Sequence, residues 1–119
     1  MILDRDLTGQ MTLDEYQYTS STTFQYATDM GMPRRVFTAL GLNEEAGEVA
    51  GKTKKYYRDN IGEQEARESI ALELGDTLWY LSQCARLWGY KLSEIAQMNI
   101  DKLASRRARG VIHGSGDNR

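Results

Sequence analysis

Residues that interrupt helices or cross-link chains are scarce in this sequence. Among its 119 residues there are one Pro, one Cys and one His. Because proline is so rare and long stretches contain no helix breaker, the composition favours helices. The single cysteine, Cys84, cannot form an internal disulfide, and its apolar neighbours predict a small core residue rather than a nucleophile. The sequence therefore excludes an internal disulfide framework and fits a reducing compartment.

Neither a strong net charge nor a long apolar run is present. The formal net charge is −2, with acidic and basic residues interleaved, so there is no electrostatic footprint for duplex nucleic acid. No apolar run approaches the roughly 18 to 20 residues of a membrane span, and the first residues lack the layout of a secretory signal. We expect a cytoplasmic protein that binds neither nucleic acid nor a membrane. A chain of this length has room for one domain with a small core, which favours self-association.

Capping signals divide the first half of the chain into two helices. Thr12 and Glu15 have the spacing of a capping box, which predicts a first helix that runs to about Thr28. The middle of this helix is rich in Ser and Thr, so its intrinsic helix propensity is weak. Pro33 is well placed at or just before the first turn of a second helix, at about 34–58.

The second half of the chain contains two further predicted helices. A third helix, about 63–88, begins with acidic residues that suit the positive end of the helix dipole and ends before Gly89. Ser93 is the predicted N-cap of a fourth helix, about 94–108. Residues 110–119 are rich in glycine and predict a flexible C-terminal tail.

These elements predict an all-α fold, a bundle of four to five helices formed by residues 1–109. A turn signal at residues 59–62 separates the second and third helices, so these two should form a central antiparallel pair.

Four carboxylates are placed symmetrically about that turn. Antiparallel packing brings Glu48 opposite Glu73 and Glu45 opposite Asp76. Converging carboxylates repel one another, so the arrangement is destabilising unless a cation lies between them. Oxygen ligands suit a hard divalent cation, so we predict a site for Mg²⁺, with Mn²⁺ as an alternative.

Helical phase separates this acidic group from an ordinary solvated face. On both central helices the acids lie between two apolar stripes, which predicts a partly enclosed cleft. The second stripe of each helix needs a partner, either the outer helices or another subunit. A simple exposed acidic surface is the rival interpretation. A carboxylate-bridged di-iron bundle requires helical His ligands, and the only histidine, His113, lies in the tail.

Three segments together resemble a known enzyme family. They are Gly-Leu-Asn-Glu-Glu-Ala-Gly-Glu-Val-Ala at 41–50, Glu-Leu-Gly-Asp-Thr-Leu-Trp-Tyr at 73–80 and Asn-Ile-Asp-Lys-Leu-Ala-Ser-Arg at 99–106. The chain resembles the MazG-like all-α nucleoside triphosphate pyrophosphohydrolases over roughly residues 12 to 107. The resemblance implies Mg²⁺-dependent cleavage between the α and β phosphates, which releases a nucleoside monophosphate and pyrophosphate. It also implies a homodimer or homotetramer.

The matching motif positions imply roles for the acidic residues. Glu45, Glu48, Glu73 and Asp76 are the expected metal ligands. Glu44 lies close to Glu48 on the helical wheel, and we hypothesise that it orients or deprotonates the attacking water.

Basic residues and neighbouring side chains give candidate contacts to substrate. Asn99, Lys102 and Arg106 share one helical face that suits phosphate oxygens, although charge compensation at the helix C-terminus is an alternative for Arg106. Lys55 is a further phosphate candidate, while Lys52 and Tyr80 are possible pocket residues. Candidates for contacting the base are Trp79, Phe37, Phe24, Tyr16 and Gln17.

Two other functions remain open on the sequence alone. One is a relative with a single substrate, such as a dUTP or dCTP pyrophosphatase or a phosphoribosyl-ATP pyrophosphohydrolase. The other is a helical protein that binds a nucleotide or a partner without turnover. A non-catalytic descendant need not keep four repelling acids together, which favours an enzyme.

Overall fold

The computed structural model describes residues 8–26 and 31–119, and within them the secondary structure is entirely helical. The four helices are α1 (Leu13–Ser21), α2 (Arg34–Arg58), α3 (Glu63–Leu87) and α4 (Leu92–Ala108). The predicted all-α class is therefore confirmed.

Helix α1 begins as its capping box predicts but ends early. Thr12 Oγ1 accepts from the Glu15 N–H at 3.1 Å, and a Glu15 carboxylate oxygen accepts from the Thr12 N–H at 2.9 Å. The predicted end at Thr28, which lies outside the described residues, was wrong, because the helix stops at Ser21. The hydroxyls of Thr22 and Thr23 each donate to the carbonyl three residues earlier, at 2.7 Å. Such local side-chain bonds compete with helix continuation.

Helices α2 and α3 form the predicted antiparallel hairpin. The chain reverses through Asn60, whose φ of 52° is in the left-handed region that Asn tolerates. At the far end of the hairpin, Arg35 Nε donates to the Leu87 carbonyl oxygen at 3.2 Å, so the start of α2 lies beside the end of α3. The predicted bounds of both helices agree with the structure within one residue.

Polar side chains attach α1 to this hairpin. The Gln83 amide, which is fully buried, donates to Ser20 Oγ at 2.9 Å. Gln17 donates to the carbonyl oxygens of Ser82 and Tyr90 at 3.2 and 3.0 Å and accepts from the Leu92 N–H at 3.0 Å. Gln17, a candidate for base contact in the sequence, is thus engaged in joining three helices.

Helix α4 starts earlier than predicted, and Ser93 is not its N-cap. The N-cap is Lys91, whose N–H donates to a Glu94 carboxylate oxygen at 3.0 Å. The next two N–H groups, of Leu92 and Ser93, donate to Gln17 and Asp14 on α1. Free N–H groups at a helix start need acceptors, and here α1 supplies them.

Much apolar surface stays exposed in the single chain. Leu40 on α2, Leu72 on α3 and Ile100 on α4 are 57%, 72% and 60% exposed, respectively. Among the described residues, α4 packs against α1 and α3 but not against α2. The apolar stripes seen in the sequence are therefore only partly covered by the chain's own helices.

Candidate functional site

An acidic cluster lies where the two central helices face each other. Carboxylate oxygens of Glu45 on α2 and of Glu73 and Asp76 on α3 all lie within 4.8 Å of one another. Glu45 and Glu73 are partly buried, and Asp76 is exposed. Three of the four acids predicted as metal ligands are thus brought together by the hairpin.

The electrostatics of this cluster are those of crowded like charges. Partial burial raises the pKa of Glu45, and the negative charges of Asp76, Glu73 and Glu44 raise it further. Protonation or a bound cation can relieve such repulsion. Around an octahedral Mg²⁺ ion with bonds of roughly 2.0–2.1 Å, adjacent ligand oxygens lie about 2.9 Å apart and opposite ones about 4.2 Å. Carboxylate oxygens that are up to 4.8 Å apart must therefore move closer together to share one ion.

The two remaining acids lie beside the cluster on the surface of α2. Glu48 is exposed one helical turn after Glu45 and does not join the group of three. Glu44 is exposed too, but it is near enough for its charge to act on both Glu45 and Tyr80. On the same helix, Lys55 is exposed.

Tyr80 borders the cluster and is packed tightly against α2. Burial raises the pKa of its hydroxyl, and the charges of Glu45, Glu44 and Asp76 raise it further. Its ring lies directly against Gly41, which is buried, and a Cβ at that position would overlap the ring. Tyr80 is a possible pocket residue in the sequence, but no sequence pattern indicates its contact with Gly41.

Tyr16 on α1 borders the cluster from another helix. Burial raises the pKa of Tyr16, and the negative charge of Asp76 adds to the increase. The sequence suggested Tyr16 only as one of several candidates for base contact. Nothing local in α1 indicates that it reaches α3, since this depends on how α1 packs.

The aromatic residues proposed for base contact form a packed group next to Tyr80. Phe24 stacks on Trp79 with ring centroids 5.5 Å apart, and Phe37 lies 6.0 Å from Tyr80. The Trp79 indole N–H also donates to Thr23 Oγ1 at 2.9 Å. These rings join the segment that follows α1 to α2 and α3, next to Tyr80.

The basic face of α4 is present but is paired with the C-terminal segment. Lys102 Nζ and Arg106 Nη2 each donate to Asp117 Oδ1 at 3.1 Å. Asn99, on the same face, is exposed, and Lys52 on α2 is partly buried. Among the described residues, α4 packs against α3, which holds Glu73 and Asp76, but not against α2.

Fold and site together define an all-α protein with a candidate centre for a divalent cation on an antiparallel helix pair. The model of the MazG nucleotide pyrophosphohydrolase domain matches residues 37–111, which include the acidic cluster and the basic face of α4. The chain therefore belongs to the MazG nucleotide pyrophosphohydrolase family.

A curated relative matches over nearly the whole chain. The chain is 45% identical over 114 residues to a protein of Mycobacterium phage L5 named Gene 37 protein, a match that covers 92% of this chain and all of the relative. No solved structure matches. In the described residues, no helix has the length and apolar character needed to cross a membrane.

Proposed function

We propose that the protein is a Mg²⁺-dependent nucleoside triphosphate pyrophosphohydrolase that cleaves the α–β phosphoanhydride to release a nucleoside monophosphate and pyrophosphate. The observation that carries this proposal is the convergence of Glu45, Glu73 and Asp76 inside a domain of the MazG family. An acidic site repels a triphosphate unless a cation bridges the two, so this chemistry requires a metal.

The ligand set proposed for the cation is Glu45, Glu73 and Asp76, with Glu48 as the fourth. Glu48 shares a helical face with Glu45 one turn away, so a change of side-chain rotamer can direct its carboxylate toward the cluster. Mn²⁺ is an alternative because it accepts the same oxygen ligands. When bound, such an ion neutralises phosphate charge and lowers the pKa of a coordinated water.

The proposed role of Glu44 is to orient or deprotonate the attacking water. Its carboxylate is exposed beside the cluster, where it can accept a proton without being a ligand. The Tyr80 hydroxyl beside the cluster remains a protonated hydrogen-bond donor at neutral pH, since its ordinary pKa of 10.0 is raised further.

Substrate phosphates are proposed to bind Asn99, Lys102 and Arg106, with Lys55 as a further contact and Lys52 at the edge of the pocket. An amide, an ammonium and a guanidinium on one face can donate to several phosphate oxygens at once. The Arg106 side chain is 5% exposed, and in the part of the chain that the structure describes its Nε has no hydrogen-bond partner, so it keeps a donor available.

We propose a homodimer or homotetramer as the working form. Leu72 and Ile100 are largely exposed, and a second copy of the chain would cover such faces. Light scattering coupled to gel filtration measures the mass directly. A monomer at micromolar concentration would contradict this part of the proposal.

The test of activity is pyrophosphate release, measured with Mg²⁺ across canonical and modified nucleoside triphosphates. Glu45→Gln and Asp76→Asn should each lower turnover by more than about 100-fold, since even residues behind metal ligands contribute about 10- to 100-fold. Glu68→Gln is the matched control, because Glu68 is exposed on α3 and accepts a local bond from Gln64 at 2.7 Å. Full activity in both site variants would refute the assignment.

The same screen separates the alternative functions. Release from a single nucleotide, such as dUTP, dCTP or phosphoribosyl-ATP, would indicate a substrate-specific relative. A protein that is stabilised by Mg²⁺ but releases no pyrophosphate from any nucleotide would be a binding protein. Turnover of several triphosphates supports the broader enzyme proposed here.

A further inference from the structure

The last ten residues fold back on the basic face of α4. Helix α4 ends in a Schellman motif, in which the Val111 N–H donates to the Arg106 carbonyl oxygen at 2.9 Å and Gly110 has a φ of 70°. Arg119 then binds the segment to itself, through donations to the carbonyl oxygens of Gly116 and Ile112 at 2.6 and 3.1 Å. This return path places Asp117 over α4.

The Asp117 carboxylate occupies the position on the basic face that an anionic ligand would take. A single oxygen, Oδ1, accepts from both Lys102 and Arg106 at 3.1 Å. The neighbouring Gly116 carbonyl oxygen accepts from Arg106 Nη2 at 3.3 Å. The Asp117 side chain itself is 82% exposed, whereas that of Arg106 is 5% exposed. The segment therefore covers the guanidinium with a carboxylate that remains open to solvent and to displacement.

Arg106 has donor capacity that this pairing leaves unused. Its Nε is buried and has no hydrogen-bond partner among the described residues, although a guanidinium can donate from Nε and Nη together to one anion. A phosphate group has three oxygens with which to accept from Lys102, Nη2 and Nε, whereas Asp117 directs one oxygen to this pair. The basic face is better matched to a phosphate than to the carboxylate that covers it.

We propose that the C-terminal segment is an intramolecular competitor in which Asp117 occupies the phosphate-binding face of α4 until a phosphate group displaces it. Identification of that phosphate with a nucleotide rests on the proposed function. The pairing itself requires only that Lys102 and Arg106 bind an anion. Because Asp117 is largely exposed, its ion pairs are weak, and displacement should change affinity modestly.

The experiment measures binding of pyrophosphate to the full chain by calorimetry without metal, with inorganic phosphate as a second probe. Asp117→Asn should bind pyrophosphate about two- to fivefold more tightly than the unmodified chain, the range expected when an exposed ion pair is removed. Asp59→Asn is the control of equal charge, since Asp59 pairs with Arg58 at the end of α2. Adding Lys102→Ala to Asp117→Asn should abolish the gain.

The possible results of the binding experiment either support or overturn the proposal. Equal affinities in Asp117→Asn and Asp59→Asn, or weaker binding in Asp117→Asn, would overturn the proposal. Retention of the full gain in the double variant would show that the anion binds elsewhere and would also overturn it. If pyrophosphate binding follows the prediction but no triphosphate is hydrolysed, the proposed function fails and the competitor stands. If hydrolysis occurs but Asp117→Asn changes neither pyrophosphate affinity nor KM, the proposed function is supported and the proposal of an intramolecular competitor is overturned.

Discussion

The close packing of Gly41 against Tyr80 predicts that Gly41→Ala will destabilise the protein, although alanine favours helices. Gly41 on α2 is buried and lies against the ring of Tyr80 on α3. A methyl group at position 41 would overlap the Tyr80 ring. The ring must therefore rotate, or the two helices must separate, to accept the substitution.

The magnitude follows from two opposing effects. Replacing Gly with Ala inside a helix stabilises it by about 0.8–1 kcal/mol. Overpacking a well-packed contact costs about 1–3 kcal/mol. We therefore expect Gly41→Ala to lower the free energy of unfolding by up to about 2 kcal/mol. For a chain of this size, each kcal/mol lost from the free energy of unfolding should lower the melting temperature by about 4 °C.

Gly51 on the same helix provides the matched control. A Cβ at Gly51 meets no atom within 4 Å, so Gly51→Ala should raise the free energy of unfolding by the full helix-propensity gain. Urea denaturation followed by circular dichroism, at one protein concentration, measures both variants. The two substitutions should change stability in opposite directions, and their difference isolates the cost of overlap.

A double-mutant cycle tests the cause. In a Tyr80→Ala background the ring is absent, so Gly41→Ala should become stabilising, like Gly51→Ala. A coupling of about 1–3 kcal/mol between positions 41 and 80 is the expected result. If Gly41→Ala has the same effect in both backgrounds, the overlap with Tyr80 does not determine the role of this glycine.

Three further predictions concern the acids and the contacts of α1. Without metal, Glu45→Gln should stabilise the protein at neutral pH. The pKa of Glu45 is raised in the folded protein, so ionising this carboxyl group lowers the free energy of unfolding. The loss grows as the pH rises from 4.5, the ordinary pKa, through the raised pKa. The free energies of unfolding of the two proteins, measured against pH with EDTA present, should therefore be similar in acid and diverge as the pH rises. A difference that does not depend on pH would contradict the prediction. Asp14→Asn should cost about 1 kcal/mol at neutral pH, because Ser93 donates to both oxygens of Asp14 and lowers its pKa. That loss should shrink as pH falls below 3.8 through the lowered pKa, and a loss independent of pH would exclude the ionised contact as its source. Thr12→Ala should cost about 1 kcal/mol through loss of the capping box, measured by urea denaturation, and unchanged stability would contradict this role of Thr12.

The acidic cluster could be predicted from sequence because its members depend on one local rule. Glu45 and Asp76 are equally distant from the turn between α2 and α3, and an antiparallel hairpin brings such positions together. Helical periodicity, applied twice, is enough to find this contact. Glu48 fits the same symmetry but remains outside the cluster of three, since phase gives the face on which a residue lies and not its rotamer.

Contacts that join distant segments of the chain could not be predicted from helical periodicity. The start of α4 was misplaced because Leu92 and Ser93 donate to side chains 75 and 79 residues away on α1. The local bond at this boundary, from the Lys91 N–H to Glu94, starts from a lysine, which is not a typical N-cap residue. Likewise, the charge of Asp76 raises the pKa of Tyr16 only because α1 packs on α3. Local sequence patterns do not indicate which distant residues will become hydrogen-bond or charge partners.

The C-terminal segment shows why composition alone is a weak guide to packing. Its glycines led to the prediction of a flexible tail, and that mobility in solution stays a prediction. The same glycines allow the return path, because Gly110 and Gly116 have φ values of 70° and 82°, which other residues rarely adopt. What fixes the segment is charge, since Asp117 meets Lys102 and Arg106 while Arg119 binds its carbonyl oxygens. Because ion pairs of exposed groups are weak, the arrangement that holds the segment in place is also one that a phosphate can displace.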